Sequence, residues 1–257
     1  MKRREALCGL MTLAMSACSA PVDLAAERHA KAVKALIDLG AEVNDIEDEV
    51  SHEKGTFILL FAEHFTHDGR VDDRVLTLLR DIRSCFLGLK KTPITDDGLP
   101  DLARLPELRV VDFTATRLTN RGLSLISKSQ QIRLLMLNYT RITDDGLESL
   151  AAMSALRLLY LGDTSVTDVG LKKLEALPQL EAIKLTRLSV TDEGVNSMSV
   201  MPRLRYLGLN ETQVTDACLK HFDILPNLIH LDVQGTRITD DAAAAFRKRH
   251  PQCHVGQ

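Results

Sequence analysis

Threonine stands at positions 95, 119, 143, 167, 191, 215 and 239, a spacing of 24 residues without a break. Aspartate follows it six times (Asp96, Asp144, Asp168, Asp192, Asp216, Asp240) and Asn120 once. An aliphatic residue precedes it each time, from Ile94 and Leu118 to Val214 and Ile238. Glycine lies three residues after the Thr in the first five units (Gly98, Gly122, Gly146, Gly170, Gly194), and Cys218 and Ala242 take that place in the last two. A period of this length means that one small unit is stacked on copies of itself, because a single unit cannot bury its own apolar face. The chain is committed to a repeat architecture.

The rest of each unit fixes its parts. Apolar residues recur as L-x-x-L-x-L: Leu108, Val111, Phe113; Leu156, Leu159, Leu161; Leu204, Leu207, Leu209, and likewise in the units between and after. Residues two apart share one side of a strand, so the last two of each trio face inward. A column of Thr92, Thr116, Thr140, Thr164, Leu188, Thr212 and Thr236 follows where the chain must turn away. Buried hydroxyls there can satisfy backbone groups of the turn, and Leu188 interrupts the ladder. The Thr-Asp pair then starts a helix: the hydroxyl caps free N–H groups and the carboxylate sits at the positive end of the dipole. Leu147 and Leu150, or Leu171 and Leu174, recur at helical spacing, and Leu105-Pro106, Leu177-Pro178, Met201-Pro202 and Leu225-Pro226 close the helix.

The consensus LxxLxLxxTxITDxGLxxLxxLPx resembles the leucine-rich repeat family, and within it the cysteine-containing type, with Thr in place of the usual Cys or Asn. Similar repeats occur in the substrate-reading arms of eukaryotic F-box proteins and in many bacterial exported proteins. The resemblance covers residues 84–248. It implies an α/β solenoid, with a curved parallel β-sheet on the concave face, helices on the convex face, and a protein-binding role. No F-box-like helical segment precedes the repeats, so a ubiquitin-ligase role does not carry over.

The ends differ from the middle, as solenoid caps must. Residues 1–18 read MKRREALCGLMTLAMSAC: Lys2, Arg3 and Arg4 form a basic start, and residues 6–17 an apolar run of twelve. That run is too short to span a bilayer, which takes about 20 residues, and fits a secretory signal. Ser16 and Ala17 lead into Cys18, which resembles a bacterial lipobox, with Met15 where Leu is usual. The reading is an exported bacterial protein lipid-anchored at Cys18 in the cell envelope, with simple periplasmic or secreted release as the alternative. Residues 22–39 form an amphipathic helix with Ala30, Val33, Leu36 and Ile37 on one face, stopped at Gly40. Residues 56–61 read as a strand, 71–79 as a degenerate unit, and Cys253 and Val255 as the remnant of a last strand. The domains are therefore signal and lipobox (1–18), N-terminal cap with a degenerate repeat (19–83), repeats (84–248, seven units) and C-terminal cap (249–257).

No G-x-S-x-G, phosphate loop, H-E-x-x-H or dinucleotide fingerprint occurs, so no enzyme and no cofactor is expected. Glu63, His64, His67 and Asp68 could ligate a transition metal; a solvated turn is the simpler reading, and no metal site is assigned. The alternative function is a metal-binding or enzymatic segment at 40–83 with the repeats as a substrate arm. Cys85, Cys218 and Cys253 read as core thiols, with a Cys218–Cys253 bridge as the alternative. The net charge of −3 becomes −5 once residues 1–17, with three basic groups and one acidic one, are removed. That sign excludes a nucleic-acid footprint, and any membrane contact is through the lipid alone.

Binding is expected on the outward strand positions. One column holds Phe86, Val110, Leu134, Leu158, Ala182, Tyr206 and His230; two residues on come Gly88, Asp112, Met136, Tyr160, Lys184, Gly208 and Asp232. Val110, Leu134, Leu158, Met136 and Tyr160 thus sit on strands about 4.8 Å apart. The chain's three tyrosines, Tyr139, Tyr160 and Tyr206, all lie at strand-outward or strand-exit positions. An apolar patch with tyrosines marks a partner-binding surface, so the expected partner is a protein, not identified by the sequence. A second column, Arg109, Arg133, Arg157 and Arg205, is a candidate grip for an anionic glycan or other polyanion, with a salt-bridged rim as its simpler reading.

Overall fold

The computed structural model describes residues 23–47 and 54–256. The expected signal segment and Cys18 lie outside the described residues. Ten strands form one sheet in chain order: β1 (Glu42–Glu47), β2 (Lys54–Leu59), β3 (Cys85–Gly88), β4 (Leu108–Asp112), β5 (Leu134–Met136), β6 (Leu158–Tyr160), β7 (Ala182–Lys184), β8 (Tyr206–Gly208), β9 (His230–Asp232) and β10 (His254–Gly256). From β2 onward every pairing is parallel, and from β4 equivalent residues are Cα partners, as in Leu135↔Leu159 and Tyr160↔Lys184. The 24-residue period is what produces this register. The expected strand at 56–61 lies two residues earlier, and it pairs antiparallel with β1. The sequence of β1, EVNDIE, lacks the apolar run by which a strand is found, so the hairpin was not foreseen.

The inward leucine columns form one continuous core. At each strand exit the Thr hydroxyl donates to the carbonyl three residues back: Thr92 to Leu89 (2.7 Å), Thr140 to Leu137 (2.6 Å), Thr164 to Leu161 (2.7 Å) and Thr212 to Leu209 (2.7 Å). Leu188 fills its place with an apolar side chain. Just before this column the chain takes a left-handed residue in every unit: Lys91, Ala115, Tyr139, Asp163, Arg187, Glu211 and Gly235, with φ between +56° and +70°. Only the last is glycine. A left-handed single residue ordinarily costs an L side chain 1–2 kcal/mol, and here successive turns stack so that its N–H donates to the next unit, as Tyr139 does to Gly162 (3.0 Å).

The second half of each unit is helical but short. After α1 (Leu24–Asp38) and α2 (Asp73–Leu79) come α3 (Leu99–Ala103), α4 (Asn120–Ile126), α5 (Asp144–Leu147), α6 (Asp168–Lys173), α7 (Asp192–Asn196), α8 (Leu219–Phe222) and α9 (Asp240–Arg249). The Thr hydroxyl accepts the expected capping bond at Thr119, Thr167, Thr191, Thr215 and Thr239, but not at Thr95 or Thr143. The Asp has a further role. Its oxygens accept both the N–H and the hydroxyl of the next unit's Thr: Asp144 from Thr167 (2.7 and 2.7 Å), Asp168 from Thr191 (2.9 and 2.6 Å), Asp192 from Thr215 (2.8 and 2.6 Å). Asn120 keeps the first bond and reverses the second, its amide donating to Thr143 Oγ1 (2.7 Å).

This staple explains the glycine column. A Cβ on Gly170 would lie 2.3 Å from Asp144 Oδ1, and one on Gly194 2.1 Å from Asp168 Oδ1. These glycines are wanted for close approach and not for an unusual dihedral.

Both ends are closed. Asp23 accepts from the N–H groups of Ala25 and Ala26 (3.1 Å each), and α1 ends at Gly40 (φ +95°), where the Ala41 N–H reaches back to the Leu36 carbonyl (3.0 Å). The helix packs through Ala32, Val33 and Leu36. Ala30 and Ile37, expected on that face, point to solvent instead, because α1 rests on both α2 and β1 and its contact stripe is rotated by about one residue. At the far end β10 pairs with β9, and Cys253 and Val255 are buried as expected. Cys85, Cys218 and Cys253 are all buried and unbridged, so the Cys218–Cys253 pairing is not made. Burial pushes the Cys85 and Cys218 thiols up to about 12 and Cys253 to about 11.

Candidate binding face on the concave sheet

Strand alternation sends alternate residues of β3–β10 away from the leucine core, and the parallel register lines them into two columns. A small apolar cluster forms there, separate from the core: Leu134, Leu158 and Ala182, with Val110, Met136, Tyr160 and Tyr206 packed around them. The sequence placed these residues on one face, and they are. Leu134 and Leu158, however, are only 2% exposed, because neighbours 24 residues away on either side cover them. They form a floor. Tyr160 and Tyr206, expected to be exposed, are half-buried over it. Tyr139 sits apart at the strand exit, 54% exposed, with the Arg187 guanidinium 5.8 Å from its ring centroid.

The cluster ends in polar groups toward the C-terminus. The Lys184 ammonium lies 4.7 Å from the Tyr160 ring centroid and 5.2 Å from that of Tyr206. The Tyr206 ring stacks on His230 (4.8 Å), and His230 meets His254 (4.9 Å). Asp232 accepts from the Tyr206 hydroxyl and pairs with His230 Nε2 (2.8 Å). Burial, and then the Asp232 carboxylate, hold the Tyr206 phenol well above its ordinary value. Gly208 makes the room: a Cβ there would lie 3.3 Å from Tyr206 Cε1 and 3.4 Å from Lys184 Cγ. Lys184, His230, Asp232 and His254 were not singled out from sequence, although the first three stand in the two outward columns. A change from apolar to charged along one column was the available signal.

The arginine column behaves as a rim. Arg109 pairs with Glu107 (2.9 Å) and Arg157 with Glu181 (3.7 Å), Arg133 is partly buried, and Arg205 is exposed. Glu181 stands in the column itself, between Arg157 and Arg205, so the guanidinium row is broken. In the N-terminal cap, His64 is buried with both ring nitrogens on backbone: Nδ1 accepts from the Phe61 N–H (2.9 Å) and Nε2 donates to the Leu39 carbonyl (3.1 Å). That ring ties α1 to the segment before α2, while His67 and Asp68 face solvent. A cleft of about 490 Å³ beside the hairpin is lined by His29, Asp45, Lys54, Thr56 and Arg83. Arg83 is paired with Asp23 (2.8 Å), and the Thr56 hydroxyl donates to Asp45 (3.3 Å).

A family model described as leucine rich repeat matches residues 129–151 and 225–246, two segments in register with the 24-residue period. Among solved structures, internalin C2 of Listeria monocytogenes superposes with a TM-score of 0.61 at 22% identity, over 89% of this chain and 91% of that one. The chain carries leucine-rich repeats and folds as a leucine-rich-repeat solenoid. A second Listeria monocytogenes internalin superposes with a TM-score of 0.51 at 18% identity, over 74% of the chain and 58% of its own length. No curated protein matches the sequence. For this leucine-rich-repeat protein the likeness establishes the solenoid: parallel strands on one face, short helices on the other. No helix of the described residues is long and apolar enough to cross a membrane.

Proposed function

We propose that this leucine-rich-repeat protein is a non-catalytic recognition module that binds a protein partner on its concave sheet. The observation that carries the reading is the apolar cluster around Leu134, Leu158 and Ala182, which lies outside the core. The repeat folds by burying its inner leucines, stacking its Thr hydroxyls and stapling each Asp to the next Thr. None of these needs aromatic or large apolar groups on the opposite side of the sheet. Their presence beside charged neighbours is the composition of a contact surface. With Leu134 and Leu158 as floor, the groups offered to a partner are Val110, Met136, Tyr160 and Tyr206, and Tyr139 at the edge. The basic start, the apolar run at 6–17 and Cys18 support export and lipid anchoring.

The test is a contrast between neighbours. Tyr160→Ala should lower folding stability by about 1 kcal/mol and weaken partner binding by roughly thirtyfold, as loss of a central aromatic anchor does. Leu159→Ala, one residue away in the core, should cost about 2–5 kcal/mol of stability. The reading fails if Tyr160→Ala and Tyr206→Ala both retain full capture of the partner from envelope extracts; the site then belongs to the convex helices or the cap. Mass spectrometry of the membrane fraction should find acylated Cys18 as the first residue. A chain beginning near Pro21, or at Met1, refutes the anchor.

A further inference from the structure

The polar end of the concave cluster holds one cation whose charge the described residues leave unmatched. The Lys184 ammonium touches two tyrosine faces, at 4.7 and 5.2 Å, and forms no ion pair with any described carboxylate. The nearby acid does not serve it. Asp232 lies two strands away across Gly208, and its two oxygens are taken by the Tyr206 hydroxyl and by His230. The rim cations Arg109 and Arg157, by contrast, have carboxylates of their own. Lys184 is therefore a half-buried donor held against two ring faces, without a described carboxylate on its ammonium.

We propose that Lys184 receives a single carboxylate from the protein partner, an Asp or Glu side chain on a segment lying across β6–β9. This rests on the concave-face reading above and names the chemistry of its central contact. One negative charge fits and two do not. Asp232 stands in the same outward column two strands away, so a phosphate dianion meets more like charge from that side than a single carboxylate does. The faces of Tyr160 and Tyr206 beside the ammonium, with Met136 on the strand beyond Tyr160, suit the methylene stem of the acid and an apolar neighbour.

The experiment uses a randomised twelve-residue peptide library selected on the purified chain. Selected peptides should share an Asp or Glu next to an apolar or aromatic residue. Their affinity should fall roughly ten- to hundredfold in Lys184→Met, the range for removing a charged hydrogen-bond partner. Lys184→Arg, which keeps the charge, should restore most of it, and a melting curve shared by the three proteins shows that folding is not the cause. Peptides that bind Lys184→Met as well as wild type, yet are lost in Tyr160→Ala, overturn the lysine site and leave the concave-face reading standing. So do selected peptides without an acid. Peptides indifferent to both substitutions, or a library that yields none, overturn the two readings together. Phosphopeptides preferred over their Asp counterparts overturn the single-carboxylate assignment.

Discussion

At the scale of single residues, the repeat is specified by which atoms must come close. The Gly column is the clearest case, since Gly170 gives up a side chain so that Asp144 can hold Thr167 through both of its oxygens. Gly170→Ala should cost about 1–3 kcal/mol in urea unfolding, the usual penalty for forcing a methyl into filled space. Asp144→Ala should cost about 1–3 kcal/mol by leaving the Thr167 N–H and hydroxyl unmet. Because the clash and the bond share one carboxylate, the double variant should be more stable than additivity predicts, by about 1 kcal/mol. Strict additivity would mean that the glycine is there for another reason. Asn120 shows how fine the specification is. It preserves the bond to the Thr143 N–H but turns the hydroxyl from donor to acceptor, and Thr143 no longer caps α5.

At the scale of elements, the caps carry what the repeats cannot supply for themselves. The β1–β2 hairpin covers the edge of β3, all four of whose residues are buried, and α1 closes the end of the core over α2. The outer strand carries Glu42 and Asp45, exposed charges that discourage another chain from adding to the sheet. Deleting residues 22–60 should therefore give aggregation or partial unfolding, seen by light scattering and a broadened melt. A truncated chain that stays monomeric and melts as sharply as the parent refutes the cap role. The other end is tied by Asp223, which pairs with Arg249 (3.1 Å) and His250 (2.8 Å) at the close of α9. Burial would raise its carboxyl, but the hydrogen bonds from His250 and Arg249 outweigh this and hold it below the ordinary 3.8. With its folded-state pKa depressed, the tie is at full strength above pH about 4 and is lost as pH falls through the folded value. Hydrogen-exchange protection in α9, taken relative to the intrinsic rate at each pH, should accordingly fall below pH about 4 in the wild type, and in Asp223→Asn it should be low already at neutral pH.

At the scale of the whole molecule, the sheet is a surface with a gradient. Its concave side runs from an apolar floor at β4–β7 to the Lys184–Tyr206–His230–Asp232 group at β7–β9. The inner core is uniform by comparison, leucine upon leucine, since every unit solves the same packing problem. The units are interchangeable inside and individual outside. That division is why Leu159→Ala and Tyr160→Ala, adjacent in the chain, should differ so sharply in what they disturb.

The solenoid was legible in the residues alone. An unbroken period of 24 fixes the register of parallel strands, and with it the inward leucines, the Thr ladder, the Leu-Pro stops and the two outward columns, because in-register stacking turns sequence spacing directly into spatial adjacency. Cys253 and Val255 could be placed in a last strand for the same reason. The features that spacing does not reveal lie where two units, or a unit and a cap, meet. Leu134 and Leu158 became floor because side chains from both neighbouring strands cover them. The Asp staple spans two units, so a reading of one unit shows only its cap. The left-handed column passed unseen because six of its seven residues are not glycine, and the stacked turn supports a conformation that none of them favours alone. β1 and the rotated face of α1 sit in the cap, where no period constrains the chain and contact with α2 and the sheet alone sets which side turns inward.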